Sequence, residues 1–528
     1  MYDILIKNAK IYDGSGQSAF IGNILVKNDK IVEIGNCTGE AIRVIDANGL
    51  CAAPGIIDAH THDDNNVIHN KQMASALYQG VTTEVTGMCG LGQIPSKKED
   101  IPDILRMYAG IVEYKENSPF YYTNVDEYLS LADGAAINVA SSVNHCALRI
   151  FAGGFKSTKY EDIAEVMKDE LRKNLRMGAV GFSIGLDYFP AHSDVVSTQE
   201  LIDLCKVAKE ENALMFSHVR PGGKGIDPLE EMEIVARESG AKVHILHTKT
   251  FHPSSSGHPE YITDRFDKAN AEGASVTLEF YPYPGWETLG LYYIPFWAIE
   301  GGYDALMERL GNPKLRERLA AEIEENYNYL MGDDVPAICS FARYHESYEG
   351  ITFDEICELR KQPMGEMILD VMYETKLGFG ALSSDIKDQT IYKQIQDDYM
   401  TLFKSSYYTV SSDSIIVGTF PHPRVFGTFA KIMRLTREYN MSLEHTIYKL
   451  TKFVADRYSF ADRGHLAVGK AADIMIFNYD KVEDCSNYKN PRLPAKGMEY
   501  VIVNGRIALE QGKPNGIFAG KALRRAGC

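Results

Sequence analysis

Residues 52–62 read Ala52-Ala53-Pro54-Gly55-Ile56-Ile57-Asp58-Ala59-His60-Thr61-His62, an apolar run ending in two histidines one residue apart. Alternate side chains of an extended strand share a face, so His60 and His62 point the same way and can reach one metal ion. Seven more short apolar runs follow, each closing on a polar side chain. Thr82-Thr83-Glu84-Val85-Thr86 leads to Cys89, Ala136-Ile137-Asn138-Val139-Ala140 leads to His145, and Val180-Gly181-Phe182 ends at Ser183. Ala213-Leu214-Met215-Phe216 leads to His218, and Val243-His244-Ile245-Leu246 to His247. Val276-Thr277-Leu278-Glu279-Phe280 leads to Tyr281, and Tyr407-Tyr408-Thr409-Val410 to Asp413. Near-continuous β-branched runs suit strands buried on both faces. Helical patterns such as Gln199 to Asn212 and Pro228 to Ser239 lie between them. Eight such strands predict an α/β protein, a (β/α)8 TIM-like barrel whose C-terminal strand ends gather at one face. Side chains far apart in the chain then converge on one small volume.

The flanks read differently. Residues 1–50 and 465–528 are β-rich, with a hairpin signal where Ile24-Leu25-Val26 and Ile31-Val32 flank Asn28-Asp29. The simplest arrangement is a small β-sandwich built from both termini beside a barrel spanning 51–464. Between the seventh and eighth runs, residues 284–405 far exceed the roughly 30 residues of an ordinary βαβ unit. With its aromatic cluster Tyr292-Tyr293-Ile294-Pro295-Phe296-Trp297, this insertion reads as a lid over the catalytic end.

The bulk composition excludes several classes. A formal charge of −17 and no Lys/Arg-rich run argue against nucleic-acid binding. No window approaches the roughly 18 consecutive apolar residues of a membrane span, and Met1-Tyr2-Asp3-Ile4-Leu5-Ile6-Lys7 does not have the look of a secretory leader. Nine cysteines without tight spacing suit a reducing compartment, and a cytoplasmic location is expected. No motif fixes an oligomeric state.

The endings carry the chemistry. A histidine closing one strand is commonly a packed core residue, but His218 and His247 close two runs at matching positions and read as a ligand pair. His244, three residues earlier than His247, faces the other way and reads as structural. Cys89 lies in Thr86-Gly87-Met88-Cys89-Gly90, where glycines let the backbone bend close to a site. A thiolate suits zinc, and three protein ligands leave a position open for water. Asp413 in Ser411-Ser412-Asp413 is the candidate acid/base. It is preferred to Asp385 in the similar Ser383-Ser384-Asp385 because it follows a β-type run and precedes Pro421-His422-Pro423-Arg424.

Together the motifs resemble the amidohydrolase superfamily, and within it the N-acyl-D-amino-acid deacylases (D-aminoacylases). The resemblance rests on Pro54 to Asp64, Gly80-Val81-Thr82-Thr83 leading to Cys89-Gly90, and Gly185-Leu186-Asp187-Tyr188-Phe189-Pro190. Ser217-His218-Val219-Arg220, His247-Thr248-Lys249, Tyr281-Pro282-Tyr283, Pro421 to Arg424 and the tail Gly469-Lys470-Ala471-Ala472-Asp473 complete it. It implies a tight zinc held by Cys89, His218 and His247, a weaker second metal position lined by His60 and His62, and Asp413 as catalytic acid/base. It further implies that Lys249, Tyr281 and Arg424 hold the substrate α-carboxylate, with Tyr188 and His145 also near the substrate. The implied reaction is hydrolysis of an N-acyl-D-amino acid, a small-molecule substrate. A cyclic amide or a D-residue-containing peptide stays open as an alternative substrate, and a catalytically silent barrel as an alternative role.

Two departures stand out. Where relatives carry a glutamate and an aspartate after the His-X-Arg motif, this chain reads Pro221-Gly222-Gly223-Lys224. A small hydroxyl residue of the carboxylate site is replaced by Glu287 in Gly285-Trp286-Glu287-Thr288. An acid facing a substrate carboxylate would repel it by on the order of 1 kcal/mol or more. Glu287 therefore either turns away or meets a donor or cation.

Overall fold

The apolar runs of the middle of the chain form short parallel strands that are buried except at single end residues such as His218 and Lys242, as expected of β-branched segments covered on both faces. The computed structural model describes residues 1–221, 226–250, 256–331, 335–383 and 385–527; Lys224 and Ser384 lie outside these. In chain order the strands are β1 (Ile56–Asp58), β2 (Val81–Thr86), β3 (Asn138–Ser141), β4 (Val143–Asn144) and β5 (Gly181–Gly185). They continue as β6 (Leu214–His218), β7 (Lys242–Ile245), β8 (Ser275–Phe280) and β9 (Tyr408–Val410). The first three pair in the order β1-β2-β3, and the rest in the order β9-β8-β7-β6-β5-β4, all parallel.

The two sheets meet at both edges. At one seam β3 passes into β4 through Ser142, whose N–H donates to the Thr86 carbonyl. At the other, Thr61 bridges Ser414 in parallel, the His62 N–H donates to the Ser414 carbonyl at 2.8 Å, and the Asp413 N–H donates to the His60 carbonyl at 3.0 Å. The ends of the first and last strands, and with them His60, His62 and Asp413, are thereby held side by side.

The helices between the strands carry the start and stop signals their sequences suggest. Thr198–Glu210 is capped by the Ser197 hydroxyl, which accepts from the Glu200 N–H. Pro228–Ser239 starts on a proline behind the Asp227 cap and ends at Gly240, whose φ of 64° a glycine adopts without strain.

Strands from both termini share one nine-stranded sheet, with Cys51–Pro54 hydrogen-bonded between Tyr2–Ile11 and Ile474–Phe477. The Asn28-Asp29 turn joins Phe20–Lys27 to Lys30–Gly35, with Asn28 at φ 54°. Ile6, Ile11, Ile24, Ile474 and Ile502 pack into a core of their own on this sheet. The long stretch after β8 forms an antiparallel sheet of Glu287–Leu289, Phe379–Ser383 and Ala337–Ala342. Helices Gly302–Leu310, Arg316–Met331, Phe353–Arg360, Met364–Glu374 and Gln389–Lys404 belong to the same stretch. Among the described residues no helix is long and apolar enough to cross a membrane.

Candidate metal centre and substrate cavity

The strand ends bring five metal-ligand side chains together. Cys89, His218 and His247 offer donor atoms that all lie within 4.8 Å of one another, and His60, His62 and Cys89 do the same, so the thiol is common to both groups. The Cys89 sulfur is 3.5 Å from His60 Nε2 and 3.6 Å from His247 Nε2, and the two Nε2 atoms of His60 and His62 are 3.4 Å apart. Asp413 sits against this cluster, with Oδ1 3.1 Å from His60 Nε2 and 3.4 Å from His62 Nε2.

The backbone delivering these groups is strained where it matters. Cys89, His247 and Asp413 have φ of 53°, 35° and 50°, a left-handed region that costs a non-glycine residue energy and persists only where the surroundings over-determine it. The surroundings do so at Cys89. The Gly87 carbonyl accepts from Ser183 Oγ at 2.6 Å and from Asn144 Nδ2 at 2.9 Å, and also from Ser142 Oγ. Ser183 Oγ in turn accepts from the Gly90 N–H at 3.0 Å. The polar ending of the Val180–Ser183 run thus clamps the cysteine loop. Space is also restricted there, since a Cβ on Gly185 would lie 2.0 Å from the Cys89 carbonyl oxygen.

Glu279, inside β8, went unnoticed as a site residue in the sequence. Fully buried, its Oε1 accepts from His60 Nδ1 at 2.8 Å and from the His247 N–H at 2.9 Å. The first contact turns His60 Nε2 toward the cluster, the orienting role that a carboxylate commonly plays behind a ligating histidine. Asp187 is a second acid without a strand-ending signature; its Oδ2 is 2.9 Å from His218 Nε2. The signal available for Glu279 was a charge within an otherwise apolar buried run, which requires a partner.

The electrostatics fit a cation. Burial pushes the Cys89 thiol up, yet the imidazoles of His60, His218 and His247 hold it well below the usual thiol range. Burial works against protonating His62 and His218, but Asp413 and Cys89 raise the first to about 9, and Asp187 and Cys89 raise the second to about 10. With protons alone to balance them, the thiolate and carboxylates keep neighbouring imidazoles cationic. A divalent ion would supply the same compensation while releasing those protons. Burial also opposes ionisation of Asp413, but Arg424 and the two histidines keep its carboxyl well below the usual range. Arg424 Nη1 lies 3.0 Å from Asp413 Oδ2.

A cavity of about 490 Å³ opens beside the cluster, lined by His62, Cys89, His218, His247, Tyr188, Tyr281 and Asp413 among others. The stretch after β8 contributes Trp286, Glu287, Thr288, Tyr292, Tyr329 and Leu330 to its walls. Glu287 is thus part of the wall, with Oε2 accepting from the His422 N–H at 3.2 Å and Oε1 buried. The Tyr188 ring leans on His218 at 5.1 Å. Lys249 and Arg424 stand behind the wall rather than in it. The Lys249 ammonium donates to the carbonyls of Tyr281, Tyr283 and Gly285 and lies 3.3 Å from the centre of the Tyr281 ring. The Arg424 guanidinium, fully buried, lies 4.4 Å from the centre of the same ring.

His145 is a correction to its expected place near the substrate. It does not line the cavity, and its Nε2 pairs with Glu200 Oε1 at 2.8 Å in a buried network with Arg149. A strand-ending histidine next to a buried acid is here a core residue, which no local pattern reveals. His244 likewise bonds Thr277 Oγ1 at 2.7 Å away from the cluster, and Asp385 is exposed.

Comparison with known proteins places these residues in context. Residues 43–509 match the model of the amidohydrolase family. An N-acyl-D-aspartate deacylase of Alcaligenes xylosoxydans xylosoxydans is 30% identical, over 96% of this chain and 91% of that protein. An N-acyl-D-glutamate deacylase from the same organism is 29% identical, over 99% and 96%. The crystal structure of the N-acyl-D-glutamate deacylase of Bordetella bronchiseptica is 26% identical and superposes with a TM-score of 0.81, covering 99% of both chains. That protein is complexed with zinc and a phosphonate inhibitor, a mimic of the reaction tetrahedral intermediate.

Proposed function

The chain belongs to the amidohydrolase family, and we propose that it hydrolyses N-acyl-D-amino acids to a carboxylate and a free D-amino acid. It is a metal-dependent hydrolase of amide bonds. The observation that carries the reading is the meeting of Cys89, His218 and His247 within 4.8 Å beside Asp413 at the floor of one cavity. One soft thiolate with two imidazoles suits zinc. His60 and His62, sharing Cys89, would line a weaker second position. The D-preference and the acyl amino acid class rest on the activities that the similar deacylases carry in their names.

When bound, zinc would polarise the scissile carbonyl and activate the attacking water. The protein's own residues do the rest. Asp413 stays ionised under the influence of Arg424 and His60, so it can accept the proton of the attacking water at a carboxylate oxygen and return it to the leaving nitrogen. Glu279 keeps His60 in one tautomer and holds the His247 backbone in place. Tyr188 and Tyr281 line the cavity where the acyl amino acid would lie, and Arg424 and Lys249 lend positive potential from behind the Tyr281 ring.

The same reading extends to architecture. The two parallel sheets, joined at Ser142 and at Thr61–Ser414, are best described as one closed eight-stranded barrel over residues 51–464, with β3 and β4 as a single stave. Residues 1–50 and 465–528 make a separate β-domain, and 284–405 a lid that excludes water from the cavity. The test is turnover of N-acetyl-D-leucine and its L-enantiomer by zinc-loaded protein, with metal content measured in parallel. Hydrolysis of the D-form by protein carrying zinc is expected. A zinc-loaded protein that opens only cyclic amides would refute the substrate class.

A further inference from the structure

A second cavity, of about 460 Å³, adjoins the metal cavity, and the two share Asp187, Tyr188, Pro221, Tyr292 and Tyr329 in their walls. Apolar side chains make up most of its lining. Leu289, Leu291, Ile294 and Phe296 come from the stretch after β8, and Tyr108 and Phe189 from the β2–β3 and β5–β6 connections. The Phe296 ring lies 5.3 Å from that of Phe189 and 4.8 Å from that of His192, centre to centre.

The charged part of the wall has one sign. Asp187, Asp194, Glu322 and Glu325 line the cavity, and among the described residues no lysine or arginine does. Three of these acids have partners. Asp187 Oδ2 is 2.9 Å from His218 Nε2, Asp194 Oδ2 is 3.4 Å from His192 Nδ1, and Glu322 accepts from Arg318 Nε at 2.7 Å and Trp297 Nε1 at 2.6 Å. Glu325 makes no ion pair among the described residues. Glu322, Glu325, Asn326 and Tyr329 recur every three or four residues along Arg316–Met331, so one face of that helix is turned to the cavity. The acids are also ordered in depth. The Asp187 side chain, 11% exposed, stands where the two cavities meet, while Asp194, at 69%, and the exposed Glu325 stand at the open rim.

The metal cavity does not offset this charge. Arg220, the one lysine or arginine among its described lining residues, has Nε and both terminal nitrogens bonded to Glu231, Ser193 and Val196. The acidic side chains after which two of the similar deacylases are named would meet like charge here and no free lysine or arginine. A cation on an apolar stem suits both parts of the wall. Its methylenes can lie along the aliphatic and aromatic surface, and its head is drawn to ring faces and carboxylates.

We propose that the second cavity selects substrates with a cationic head on a long apolar stem, the ammonium or guanidinium ending among Asp194, Glu322 and Glu325. This rests on the N-acyl-D-amino acid reading above. The stem is either the side chain of the D-amino acid or its acyl group, and the chemistry recognised is the same in both.

The experiment compares kcat/KM of zinc-loaded protein within matched pairs of substrates. N-acetyl-D-arginine against N-acetyl-D-citrulline places the cation on the side chain; 6-aminohexanoyl-D-leucine against heptanoyl-D-leucine places it on the acyl group. N-acetyl-D-glutamate is the acidic comparison. In at least one pair the cationic member should lead by about tenfold or more at low salt, as three acids at about two- to fivefold each would give. The lead should shrink as salt screens the rim, and N-acetyl-D-glutamate should be a poorer substrate than N-acetyl-D-citrulline. Asp194→Asn and Glu325→Gln should each lower the cationic-to-neutral ratio about two- to fivefold. Because the two substrates of a pair meet the same protein, that ratio is independent of the folded or zinc-loaded fraction.

Parity or a neutral preference in both pairs, or N-acetyl-D-glutamate as the better substrate, would overturn the proposal. So would a cationic preference that the double variant Asp194→Asn/Glu325→Gln leaves intact, since the cation would then be bound elsewhere. Wild type inactive on every acylated D-amino acid would instead sink the functional reading beneath it.

Discussion

Replacing Glu279 probes how far the metal cluster depends on a residue that touches no ligand sulfur or substrate. One carboxylate oxygen serves two donors, His60 Nδ1 at 2.8 Å and the His247 N–H at 2.9 Å, with no exposure to water. Glu279→Ala leaves both donors buried and unmet, at about 1–3 kcal/mol each, so destabilisation of roughly 2–6 kcal/mol is expected and thermal unfolding should show it. Glu279→Gln is the sharper test. It keeps an acceptor oxygen of the same reach but removes the charge that orients His60. Changes to such orienting partners typically cost about 10–100-fold in metal affinity or activity, or roughly 1.4–2.7 kcal/mol at about 1.36 kcal/mol per factor of ten. Competition with a chromogenic chelator reads the zinc affinity, and kcat for N-acetyl-D-leucine reads the consequence. Zinc affinity and kcat both within twofold of wild type in Glu279→Gln would refute the argument that this carboxylate sets the geometry of His60 and His247.

Three further outcomes follow from the same geometry. Asp413→Asn should keep its metal, since Asp413 stands outside the Cys89, His218 and His247 group, but lose about 10²–10⁴-fold in kcat; metal content with steady-state rates checks both halves. Gly185→Ala puts a methyl where only 2.0 Å separates it from the Cys89 carbonyl, so zinc affinity should fall although no ligand is altered, as chelator competition would show. Glu287 bears on stability as well. Its pKa is raised from 4.5 to about 7 by burial, so the folded state binds more protons than the unfolded one between those values, and stability falls as pH rises across that window. Glu287→Gln should therefore match wild type in unfolding free energy near pH 4.5 and exceed it at pH 8 by up to about 3 kcal/mol, as denaturant titrations would show; identical differences at the two pH values would count against it.

Much of the site was legible because each strand leaves a local trace. His60-Thr61-His62 announces itself by spacing, and Cys89, His218, His247 and Asp413 by closing apolar runs. What misled was a side chain whose role depends on a neighbour distant in the chain. His145 has the same local form as His218, yet Glu200 and Arg149 hold it in the core. Glu279 stands inside an apolar run whose local pattern gives no sign that it bonds both His60 Nδ1 and the His247 N–H. Lys249 and Arg424 carry the charges expected of a carboxylate site, but their ammonium and guanidinium groups sit behind the Tyr281 ring.

By itself, the order of residues determined the alternation of strands and helices, the family, and the set of donors able to bind a metal. These are properties of periodicity and side-chain chemistry, written within short windows. Tertiary structure alone decided which of those donors meet, which acids stand behind them, and that Glu287 is part of the cavity wall with one buried, unpartnered oxygen. The reason is physical: a charge out of water takes its state from the groups packed around it, and those groups come from every part of the chain.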